Sequence, residues 1–165
     1  MTFTKNLFLL SLFALGISPV YAKHTKAKNA AKLVCDYKKA GNENEYELVF
    51  HMTLEKGWFV KADNDYDSVR MKLPKFTYEK SDKYSTIGET VSKGLIEPKK
   101  LRRVGIVNMY SYTVLYSQRV TAQPGAVIKG AYTYQVCNDK AAKRTRTENF
   151  SIKIKETPTA PADTQ

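Results

Sequence analysis

Period-two alternation, repeated in short stretches with no amphipathic helical period between them, constrains this chain more than any other feature. Over residues 46–54, Tyr46, Leu48, Phe50, Met52 and Leu54 share one face, and Glu47, Val49, His51 and Thr53 the other. A side-chain period of two marks a strand with one face against a core. Residues 110–121 repeat it, setting Tyr110, Tyr112, Val114, Tyr116 and Val120 opposite Ser111, Thr113, Leu115, Ser117 and Arg119. Residues 69–73, 127–136 and 150–154 alternate in the same way. Turn signals stand between them: Gly41, Lys56-Gly57, Pro124-Gly125 and Asn138-Asp139. Many short strands punctuated by turns predict an all-β fold, a sandwich of antiparallel strands. Pro124-Gly125 predicts a hairpin that joins 110–121 to 127–136. Residues 88–98, carrying Gly88, Gly94 and Pro98, read as a connection, and 99–103 (K-K-L-R-R) as a solvated basic bend.

The two ends fall outside this pattern. Residues 1–22 combine Lys5 with an apolar run over 7–17 and small residues before Ala22, the features of a cleaved signal peptide. The run is too short to span a bilayer, and no later stretch is apolar enough to form a transmembrane segment. Residues 23–32 read as a flexible basic lead-in, 33–155 as one domain, and 156–165 as a disordered Pro/Thr/Ala tail. The formal charge is +11, of which Lys5 would leave with the leader. In a cytosolic protein this excess would suggest nucleic acid. Export argues against that partner and leaves an acidic protein, an anionic envelope surface or simple solubility.

Two cysteines, Cys35 and Cys137, are the chemically distinctive residues. In an oxidising compartment an even count makes a disulfide the default. The loop closed would be about a hundred residues, for which chain entropy gives roughly 4–5 kcal/mol. Pairing needs Cα atoms about 4.4–6.8 Å apart, which only the fold can decide. Cys137 ends a strand beside the Asn138-Asp139 turn, a position suited to a reactive thiol. Lys140, Lys143 and Arg144 follow it; they either raise its thiolate fraction or form a solvated loop. His51 lacks partners at metal-ligand spacing, and the acidic loop 63–67 lacks the glycine and distant glutamate of a calcium loop. No pattern calls for a metal or cofactor. The only histidines, His24 and His51, are not placed to activate Cys137 as a hydrolytic nucleophile.

The block Y-T-Y-Q-V-C-N-D-K at 132–140, followed by N-F-S-I-K-I at 149–154, resembles the amino-terminal periplasmic domain of the thiol:disulfide interchange protein DsbD. K-G-W-F-V at 56–60, F-T-Y-E-K-S at 76–81, Glu97-Pro98 and Y-T-V-L-Y-S-Q at 112–118 extend the resemblance over residues 33–155. The resemblance implies a periplasmic location and an immunoglobulin-like β-sandwich. It also implies a redox pair in a hairpin near the carboxyl end, serving thioredoxin-like or membrane redox partners. The family pattern is Y-Q-x-C-N-D-x-x-C, usually followed by Leu-Pro-Pro. Cys137 matches the first cysteine, but the second position holds Ala142, and Lys143, Arg144 and Thr145 replace Leu-Pro-Pro. Dithiol exchange needs a second thiol to resolve the mixed disulfide. The expectation is therefore a module that has lost exchange and binds an envelope protein through Lys140, Lys143 and Arg144. The alternative is thiol–disulfide interchange by Cys137, with Cys35 as a distant resolving thiol.

Overall fold

The computed structural model describes residues 30–63, 71–102, 104–140 and 142–155. The leader, most of the lead-in, most of the acidic loop and the tail lie outside these residues. Among the described residues nine strands and no helix are present. They are β1 (Ala31–Lys39), β2 (Glu45–Leu54), β3 (Phe59–Lys61), β4 (Lys75–Tyr78), β5 (Tyr84–Leu101), β6 (Gly105–Ala122), β7 (Val127–Tyr134), β8 (Val136–Cys137) and β9 (Arg146–Lys153). All pairings are antiparallel.

The larger sheet is organised by β6. One edge of β6 carries β5 along its length. The other carries β2 over Thr113–Thr121 and then β3 over Met109–Ser111. β1 adds outside β2, and β8 outside β3. β4, β7 and β9 form the second sheet, with β7 central.

Alternation explains the core. Leu48, Phe50 and Met52 of β2 are fully buried, as are Val114 and Val120 of β6. The second sheet answers with Ile128, Tyr132, Tyr134, Phe150 and Ile152. The aromatic rings interlock: Phe76 lies 4.5 Å from Phe50 and 4.5 Å from Tyr132, and Tyr132 stacks on Tyr134 at 5.0 Å. Each such pair contributes about 0.5–1.5 kcal/mol beyond its buried area. Apart from Tyr112, the tyrosine stripes are thus core.

Four expectations change. β6 and β7 do not form a hairpin: the Pro124-Gly125 turn carries the chain from one sheet to the other. Residues 88–98 are not a connection but part of an 18-residue strand, with register shifts at Ile87/Val91 and Gly94/Leu95. Residues 71–73 are not a strand, and Met71 is buried instead in a second, smaller cluster. The first strand begins at Ala31, two residues before the expected domain start at Leu33.

Tyr112 marks where β6 changes partner. The rungs Thr53↔Thr113 and Phe59↔Ser111 leave Tyr112 alone opposite residues 54–58. It has φ of 64° and is 59% exposed, so it interrupts the inward stripe in which the sequence sets it.

Candidate functional site

β8 is two residues long and lies between two neighbours. Phe59 of β3 pairs with Cys137 on one side, and Ala142 forms a bridge with Cys137 on the other. The hairpin is closed by Lys143 N–H donating to Val136 C=O at 2.8 Å and by Gln135 Nε2 donating to Lys143 C=O at 3.1 Å. Lys140 N–H donates to Asn138 Oδ1 at 3.0 Å, the local side-chain turn that asparagine favours. The residue at the family's second-cysteine position therefore stands directly across from Cys137. It is an exposed alanine.

Cys137 itself is not presented to solvent. It is 1% exposed, on the sheet face that points away from the main core. Phe59, Met71, Leu101, Val107 and Met109 cover it. Leu101 and Val107 come from the tip of the β5–β6 hairpin, and Met71 from the start of the segment leading to β4. The sequence carried little signal for this cover, because its members lie on three separate segments. Burial, followed by the nearby Asp139 carboxylate, pushes the Cys137 thiol up to about 11. That is opposite to the direction expected from the basic residues after it.

Those basic residues lie at the surface. Lys140, Lys143 and Arg144 are exposed, and none makes an ion pair among the described residues. Lys143 Nζ sits 5.1 Å from the Trp58 ring centroid, which ties the hairpin to the turn after β2. Lys99 Nζ lies 4.6 Å over Phe59 and 3.0 Å from Glu97.

Cys35 is not brought to this site. It lies half-buried on β1, packed against the main core, and is pushed up to about 12 by burial and then by Glu148. The rungs Cys35↔Phe50↔Tyr116 and Cys137↔Phe59↔Ser111 differ by five residues along β6, roughly 15 Å of strand. The two side chains belong to clusters on opposite faces of the sheet. Both are free thiols, so the pairing that their even count left open is not made in this structure. His51 is exposed on the outer face, and no metal-binding group of His, Cys, Asp and Glu exists among the described residues. No described helix is long and apolar enough to cross a membrane.

The fold is an immunoglobulin-like β-sandwich of antiparallel strands. Among solved structures, the chain is similar to the N-terminal periplasmic domain of ScsB from Proteus mirabilis, with a TM-score of 0.55 and 14% identity. The match covers 82% of this chain and 50% of that one, so the chain spans about half the length of that structure. It is also similar to the reduced DsbD N-terminal domain of Neisseria meningitidis, with a TM-score of 0.48, 13% identity, and coverage of 67% and 78%. No family model and no curated protein sequence matches the chain. The likeness is therefore one of fold.

Proposed function

We propose that this chain is an exported, periplasmic binding module on a redox-domain fold, with dithiol exchange lost and an envelope protein held at the basic hairpin. The observation that carries this reading is the Cys137↔Ala142 bridge, in which the partner position of a thiol pair is filled by a methyl group. A buried thiol with its pKa raised has little thiolate to attack with at neutral pH. Lys140, Lys143 and Arg144 are exposed cations without an ion pair among the described residues, suited to an acidic protein surface. The ScsB neighbour is a periplasmic domain, which supports the assigned compartment.

Two experiments test the two halves of the proposal. Insulin reduction by the wild type and by Cys137→Ser should proceed at the same background rate. Directly opposed residues of an antiparallel pair have Cα atoms about 4.5–5.5 Å apart, within disulfide range. The new thiol of Ala142→Cys should therefore form a disulfide with Cys137, and the variant should gain turnover. Pull-down from periplasmic extract should recover a partner that Lys143→Glu/Arg144→Glu loses. Faster reduction by the wild type than by Cys137→Ser would sink the loss of exchange. Undiminished recovery would remove the basic hairpin from the account.

A further inference from the structure

On the outer face of the larger sheet, beside the cover of Cys137, lies a groove of about 240 Å³. It is lined by Tyr112 and by Trp58, which also packs against the main core, over a floor that includes Phe59, Ser111, Glu97 and Lys99. Tyr112 is the informative residue. A left-handed backbone position is ordinarily filled by glycine or asparagine, because an L side chain is strained there. The register shift of β6 sets this backbone conformation, but core packing does not explain why a tyrosine fills it: the residue is 59% exposed and belongs to neither hydrophobic cluster. Strain kept at a solvent-facing side chain points to what that side chain does.

The floor is ordered and polar. Ser111, 2% exposed, donates its hydroxyl to Glu97 Oε2 at 2.5 Å, and Lys99 Nζ meets the same oxygen at 3.0 Å. Glu97 Oε1 is left without a partner among the described residues, in a groove with two aromatic walls. The charges lining the groove balance, Glu97 against Lys99 and Glu55 against Lys56, so a strongly charged ligand gains little there. A cation would also compete with Lys143 and Lys99, which already sit on the Trp58 and Phe59 rings. The volume is below the ~300–1,000 Å³ of pockets for drug-sized ligands, and suits one ring. A pyranose matches these features. Its apolar C–H face stacks on an aromatic side chain, and its edge hydroxyls donate to a carboxylate and accept from an ammonium group.

We infer that the Trp58–Tyr112 groove binds a pyranose ring of an uncharged glycan, stacked on Tyr112 and hydrogen-bonded to Glu97. The reading is independent of Ala142 and of the basic hairpin. Trp58 is the only tryptophan in the chain, so all tryptophan emission comes from a residue that lines this groove. Titration with cello-oligosaccharide and with N-acetylglucosamine tetramers should give a saturable change in emission with at least one of them. The affinity should hold as salt is raised, since no net charge is recognised. Tyr112→Gly should weaken binding about tenfold or more. The same variant should keep or raise Tm, because it removes the strain. Glu97→Gln should weaken binding several-fold. No saturable response to either sugar would overturn the assignment. So would strong salt dependence, undiminished binding by Tyr112→Gly, or a drop of more than about 5 °C in the Tm of that variant.

Discussion

Cys137 and Cys35 are thiols whose surroundings favour the neutral form, and that has a consequence for pH. Burial is the first cause at both, with Asp139 second at Cys137 and Glu148 second at Cys35. From an ordinary value of 9.0 they rise to about 11 and about 12. Because the folded values are raised, the stabilisation is complete below pH 9 and is lost as pH climbs to 11 and 12. Tm should fall over that window, and a Cys35→Ala/Cys137→Ala variant should show a shallower fall. A residual slope will remain from buried tyrosines such as Tyr110, itself raised to about 12 by burial. Thiol-reagent modification at about pH 8 should be slow in the native protein and fast in denaturant. At this scale the sequence was informative about which residues are inward: Tyr132, Tyr134 and Phe150 fell where alternation set them. It failed at Tyr112, because a single left-handed residue turns one side chain out of the stripe that Tyr110 and Val114 continue on either side, without any glycine to announce it.

Among the elements, β7 has the least tolerance for change. Gly130 lies between β4 and β9, and a Cβ there would stand 2.2 Å from Thr77 C=O and 2.5 Å from Phe150 Cζ. The carbonyl is backbone and cannot move without breaking the β4–β7 ladder. Gly130→Ala should cost roughly 2–4 kcal/mol, read as a lower midpoint in urea denaturation. β5 shows why some elements escaped the sequence reading. Gly88, Gly94 and Pro98 look like breakers, yet an edge strand tolerates bulges and a missing donor. The buried Gln118 side chain completes the first bulge, donating to Ile87 C=O at 3.0 Å and accepting from Thr90 Oγ1 at 2.8 Å. The Pro124-Gly125 turn was legible as a turn, but a turn specifies a change of direction and not the sheet that the next strand joins. The Cys137 hairpin was legible in outline; its cover was not, since no local pattern links Met71, Leu101 and Met109 to Cys137.

The whole molecule is held by its two-sheet core, with no covalent link between its cysteines. Adding dithiothreitol should therefore leave Tm unchanged, and a thiol count on the native-purified, then denatured protein should find both cysteines free. A Tm lowered by reductant would mean that the cysteines pair in solution. The all-β sandwich itself could be read from the sequence because period-two alternation recurs throughout the domain, so single errors did not alter the class. The groove between Trp58 and Tyr112 could not be read, because its walls are fifty-four residues apart and meet only through β6.

The order in which the larger sheet can assemble follows from its register. β5 and β6 are joined by a short turn and zip along their length, whereas β8 joins β3 through two rungs across the chain from Phe59 to Cys137. Local pairs form before distant ones, because closing a long loop carries an entropy cost that later contacts must offset. β8 is thus among the last strands to dock. Until it does, the Cys137 thiol has no cover, so its reactivity is highest in the partly folded chain.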